Sequence, residues 1–176
     1  MSHYANYYKA SASGEDFIKD IEKLSLKVYP DAEGYSVGYG HYLGKEKPPF
    51  TTITKDNADT FFFADITNIN TAINKKLTNR NLPQNVIDAT ASFAYNLGTG
   101  VYLTTLAEYL NKGDIKGAAA YMQRIVYSAG KKNDGLIKRR KKETELILQG
   151  SGGGLLGALF FLLVLVAIFT FLKLKK

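Results

Sequence analysis

At 176 residues and 45% hydrophobic content, the chain has room for one domain with a real core plus an appendage, and not for several domains. Its 23 Lys and Arg against 16 Asp and Glu give a net charge of +7, which favours an anionic partner (a cell wall, a membrane surface or a nucleic acid) without choosing among them. No cysteine is present, which excludes disulfides and thiolate metal sites, and two histidines are too few for a histidine-built metal centre.

The opening residues, MSHYANYYKASASGED, have no charged head followed by an apolar run and do not read as a secretory signal. Residues 1–12 are expected to form a mobile polar and aromatic leader. In SGEDFIKDIEKLSL, Ser13 stands three residues before Asp16 as a capping-box-like start, and Phe17, Ile18, Ile21 and Leu24 form one apolar face. This predicts a helix with Glu22 near its C-terminus. From 28 to 43 the Gly, Pro and Asp punctuation, with the β-formers Tyr35, Val37, Tyr39 and Tyr42, predicts short strands and turns, the only β region expected. KEKPPFT reads as a loop, after which Thr54 caps a long helix running to about Leu77 through Phe61, Phe62, Ile66, Ile69 and Ile73. Pro83 suits a helix's first turn and Gly98 its end. Further helices are predicted over 101–111, 114–125 and 134–149, separated by KG and SAGKKND. The fold class is α+β: a mainly helical domain over 13–149 with one small N-terminal sheet.

GSGGG, residues 150–154, has almost no side chains to pack and is expected to be a flexible linker. Residues 155–172, LLGALFFLLVLVAIFTFL, carry no charge over 18 positions. As a helix they would span ~27 Å, enough to cross a bilayer. A buried core helix would normally be amphipathic or shorter, whereas this run is apolar all round and ends in the basic tail KLKK, residues 173–176. The expectation is a single transmembrane helix. Five Lys and Arg at 138–142 precede it and three Lys follow, which tilts the domain toward the cytoplasm only if the five are not part of a folded helix.

Glu22 and Asp31 are separated by eight residues and followed by a glycine-punctuated run, EKLSLKVYPDAEGYSVGYGH. Cleaving a glycosidic bond by the two-carboxylate route needs one protonated acid to assist the leaving oxygen and one ionised carboxylate to activate water or steady the developing cation. A helix end meeting a strand could shelter Glu22 as the acid, and a polar turn after Pro30 would leave Asp31 charged. Two acids at this spacing are also ordinary surface charges, and spacing alone does not decide.

The same stretch resembles the phage-type lysozymes (glycoside hydrolase family 24), whose pattern is a Glu, eight residues, an Asp, a short gap, a Thr and a G-Y-G-H turn. ASFAYNLGTG at 91–100 is similar to the family's helix and glycine turn, and GLIKRRKKETEL at 135–146 to its closing helix with paired arginines and a following Glu. The resemblance covers roughly 13–149. It implies a lysozyme-like fold with Glu22 as general acid, Asp31 as the carboxylate working with water on the opposite sugar face, and Ser36 in the Thr position, reached by a gap one residue shorter. A serine could still hold a water there, less strictly than threonine. Tyr42, Tyr95 and Thr105 fall at positions lining the family's cleft; Tyr95 reads equally as a core aromatic. His41 reads as a structural hydrogen bond or carboxylate pair, and Arg139 and Arg140 as ion-pairing residues that could also attract an anionic wall. No cofactor and no metal are implied.

The implied function is a membrane-anchored muramidase that cuts the β-1,4 linkage between N-acetylmuramic acid and N-acetylglucosamine in bacterial peptidoglycan. Its partners would be the wall, a lipid bilayer and other virion proteins, with no nucleic acid. The implied location is a phage particle's internal membrane or otherwise the host inner membrane. The alternatives are a non-catalytic peptidoglycan-binding module on the same fold, and a basic membrane protein holding nucleic acid, suggested by KKNDGLIKRRKK.

Overall fold

The structure, a computed structural model, describes residues 7–31 and 34–150. Helix α1, Ala12–Glu22, is capped by Ser11, whose hydroxyl accepts from the Gly14 amide, two residues earlier than the Ser13 start expected from the capping pattern. Asp88 explains the shift: it takes both the Ser11 amide and the Ser11 hydroxyl, fixing Ser11 at the helix entrance. Residues 7–11, expected to belong to a mobile leader, are instead held on the body. The Asn74 side chain takes the Tyr8 amide, the Tyr8 hydroxyl donates to the Asn79 carbonyl, and Asn70 takes the Ala10 amide. Ile18 of α1 is buried and Phe17 and Ile21 half-buried, while Leu24 lies past the helix end and is exposed.

Three short strands follow, β1 (Ser25–Asp31), β2 (Gly34–Gly38) and β3 (His41–Gly44), in one antiparallel sheet of order β1-β2-β3. The loop after β3 returns along the free edge of β1, where the Val28 amide donates to the Thr51 carbonyl and the Ile53 amide to Leu26. Thr54 and Asn57 then form a reciprocal capping box for α2, Lys55–Lys76. As its spacing predicts, Phe62, Ile66, Ile69 and Ile73 of α2 are buried.

The helical body is built on α3, Gln84–Leu97, in which the nine residues from 86 to 94 are all buried. Small residues at Ala89, Ala91 and Ala94 let neighbours approach, and the polar ones are satisfied internally: the Thr90 hydroxyl donates to the Val86 carbonyl and that of Ser92 to Glu143. Around α3 pack α1, α2, α4 (Val101–Asn111) and α6 (Asp134–Ile147), with α5 (Ile115–Arg124) between α4 and α6. The segment SAGKKND, expected to be only a separator, forms with Tyr127 before it a second hairpin, β4 (Tyr127–Ser128) and β5 (Lys131–Lys132), which turns through Ala129 and Gly130 at positive φ. With only two residues on each side, it lacks the alternation that marks a strand in sequence. Among the described residues no helix is long and apolar enough to cross a membrane; the expected span at 155–172 and the tail at 173–176 lie outside the described residues.

Candidate active site

Glu22 is the last residue of α1, and Lys23 after it takes φ +64° to close the helix on the Lys19 carbonyl. The glutamate side chain is four-fifths buried and one oxygen, Oε1, accepts from Nη1 of Arg139 at 2.5 Å. The other, Oε2, faces Gly40, where a side chain would begin 3.5 Å away. Gly40 sits in the β2–β3 turn at φ +87°, a conformation that favours glycine, so the turn both needs the residue for its geometry and keeps Glu22 uncovered.

Gly40 also lines a cleft of about 260 Å³, with Tyr42 of β3, Asp65, Asn68 and Ile69 of α2, Ala94 and Tyr95 of α3, and Gly98 and Thr99 of the turn after it. A second hollow of about 540 Å³ continues from Asn68 and Thr99 along α2 to Lys75 and Lys76. Together they make a groove between the sheet and the helical body, floored by α2.

Asp31 ends β1 and is exposed; it is paired with Gly34 of β2, so it stands on a strand and not in the polar turn expected after Pro30. Ser36 of β2 donates its hydroxyl to Asp31 Oδ2 at 2.9 Å. Ser36 itself is fully buried, so in this arrangement its hydroxyl orients the carboxylate and does not face solvent where a water would be held. Tyr29, opposite Ser36 on β1, links the two acids electrostatically: burial, then the charges of Asp31 and Glu22, push its hydroxyl above the usual phenol range.

Tyr42 and Tyr95 both stand on the wall of the cleft, and Tyr95 serves the core as well, donating its hydroxyl to the Tyr39 carbonyl at 2.9 Å and packing its ring on Phe62. Burial, with the nearby charges of Asp65 and Glu22, raises the Tyr95 phenol far out of reach of ionisation. Thr105 is half-buried on α4 and is not among the residues walling the cleft; the threonine there is Thr99. His41 pairs through Nδ1 with Asp65 at 2.8 Å and stacks on Phe61, the structural role its position suggested.

Arg139 and Arg140, considered as possible attractors of an anionic wall, are both buried and cannot serve in that way. Arg139 donates to Glu22, through Nε to Glu143 at 2.9 Å, and to the Ser92 carbonyl at 3.0 Å. Arg140 donates to Glu143 and to Asn96 and lies over the Phe93 ring. Glu143 is the Glu that follows the paired arginines in the closing helix, at helical spacing from both, whereas Ser92, Asn96 and Asp65 are supporting residues that no sequence pattern singled out.

A sheltered carboxyl facing the glycine that lines the cleft, and an exposed carboxylate oriented by a hydroxyl on the neighbouring strand, are the two kinds of group that can protonate a leaving oxygen and activate water. Comparison with known proteins agrees with that chemistry. Residues 19–143 match the family described as phage lysozyme. The endolysin of Bacillus phage PZA is 39% identical over 145 residues, which are 80% of this chain and 55% of that protein. The chain thus spans about half the length of the curated relatives it matches first. Among solved structures, an endolysin from Escherichia coli O157:H7 phage FAHEc1 superposes with a TM-score of 0.71 at 31% identity, covering 82% of this chain and 96% of that one. The muramidase domain of SpmX from Asticaccaulis excentricus gives 0.70 at 28% identity, with 80% and 98% covered.

Proposed function

Because the chain belongs to the phage lysozyme family of glycoside hydrolases, we propose that it is a peptidoglycan hydrolase, a muramidase cutting between N-acetylmuramic acid and N-acetylglucosamine. The observation that carries this reading is Glu22: a carboxyl at a helix end, held at one oxygen by a buried arginine, with its other oxygen toward the glycine that lines the groove. Glu22 gives a proton to the departing glycosidic oxygen. Asp31, kept in orientation by Ser36, works from the other carboxylate position with the attacking water. Tyr42 and Tyr95 offer faces on which sugar rings can lie.

The same proposal extends to residues 155–172 as a membrane anchor, supported by their uncharged length and the lysines after them. A hydrolase held to a bilayer would open the wall locally, in a phage particle's membrane during entry or in the host inner membrane at lysis.

The deciding experiment is clearing of purified peptidoglycan by the wild-type protein and by Glu22→Gln, with analysis of the new reducing ends. Muramic acid ends and a fall of ~100-fold or more in the variant are expected. Undiminished hydrolysis by folded Glu22→Gln removes Glu22 from the mechanism, and wall binding without any cleavage by the wild type favours the non-catalytic alternative.

A further inference from the structure

We infer that Glu143 is a positioning residue for hydrolysis: by balancing Arg139 and Arg140 it limits how firmly Arg139 holds Glu22 as a carboxylate, and so sets the pH at which the acid stops working. This rests on Glu22 being the acid, as proposed above. Glu143 is wholly buried and lies against two arginines of its own helix and Ser92 of α3. Both guanidinium groups can only donate, so their N–H groups aimed at its oxygens favour the ionised form. Burial holds this carboxyl above the usual carboxylate range, although Arg140, Arg139 and Ser92 pull it downward. Burial likewise draws Arg140 down to about 10, leaving it charged near neutrality, while its Nε has no hydrogen-bond partner among the described residues.

Four charges therefore form one buried chain: Glu22, Arg139, Glu143 and Arg140, two of each sign. The other titratable groups in this neighbourhood are Tyr29 and Asp31 of β1, Tyr95 of α3, and the His41–Asp65 pair beside Tyr95. Loading a proton onto Glu22, as leaving-group protonation demands, leaves the chain with one excess positive charge. Without Glu143 the excess would be two, and in a site removed from water that difference is not screened. Glu143 thus keeps the protonated state of Glu22 within reach although an arginine grips it.

The test is the pH profile of peptidoglycan hydrolysis for the full-length protein in detergent, with melting followed in parallel, for Glu143→Gln, Glu143→Asp, Arg140→Gln and Glu22→Gln. In Glu143→Gln the alkaline limb should move to lower pH by on the order of one unit. Arg140→Gln should move it the other way, and Glu143→Asp, which keeps the charge, should leave it near the wild-type position. A purely structural role would lower rates at every pH with the limb unmoved. That outcome in folded Glu143→Gln, or shifts of the same sign in Glu143→Gln and Arg140→Gln, would overturn the inference. If Glu143→Gln does not fold, an unmoved limb in Arg140→Gln overturns it equally. Wild-type activity in Glu22→Gln would instead defeat the reading of Glu22, whereas an inactive Glu22→Gln with an unmoved limb in the other variants defeats only the role of Glu143.

Discussion

Ser36 holds the most exacting position at the site, because a fully buried hydroxyl has one task and no solvent to substitute for it. Its bond to Asp31 Oδ2 is made to a charged acceptor, worth about 1.5–3 kcal/mol, so Ser36→Ala should lower hydrolysis about 10- to 100-fold with little change in substrate affinity. Ser36→Thr keeps the hydroxyl but adds a methyl where no space is exposed, so activity should stay within about tenfold while stability falls by about 1–3 kcal/mol. Initial rates and thermal melts of the two variants separate these effects, and equal rates in all three proteins would make Ser36 a bystander. Glu22 and Asp31 were legible as a spaced pair, but the partner that defines Glu22 was not. Arg139 lies 117 residues away in sequence, and no local pattern encodes that meeting.

Helix α1 carries Glu22, and its placement depends on a close approach to α3. A side chain added at Gly14 would begin 2.5 Å from the Asp88 carboxylate, itself fixed by Ser11 and Gln84. Gly14→Ala must therefore displace the Asp88 carboxylate from Ser11 or push the two helices apart, at an expected cost of about 1–3 kcal/mol. The far end of α1 would move with it, so hydrolysis should fall by more than the loss of folded protein explains; specific activity corrected by circular dichroism tests this. The helices themselves were largely legible, since periodic apolar faces and glycine or proline punctuation mark them: α4 runs Val101–Asn111 as predicted, and Gly98 ends α3 at φ +75°. What escaped was whatever tertiary contact decides. Ser11, and not Ser13, caps α1 because Asp88 reaches it, and residues 7–11 are ordered by asparagines on α2 some 60 residues on. The two-residue strands β4 and β5 are too short to leave a pattern at all.

The same helix, α3, also relates the groove to the place where the proposed anchor departs. At its C-terminal end Tyr95, Gly98 and Thr99 form the cleft, while at its N-terminal end the Asn85 amide donates to the carbonyls of Leu146, Ile147 and Gln149 and closes α6. The fourteen residues of α3 span roughly 20 Å, so the chain leaves the body at the end remote from the groove. With a linker at 150–154 expected from its composition to be flexible, an anchor at 155–172 would leave the groove free to reach a wall. Since α6 is complete and capped at Leu148, a protein ending at Gln149 should be soluble, folded and active on isolated peptidoglycan. The full-length chain should require detergent or lipid. Replacing Leu163 and Val164 with Asp and Lys, at a cost of several kcal/mol in hydrocarbon, should release it from vesicles without changing the rate on soluble fragments. Flotation with liposomes and clearing assays on the three proteins give the answer. If the protein ending at Gln149 aggregates while the full-length chain dissolves without lipid, residues 155–172 belong to the core, and the anchor is excluded.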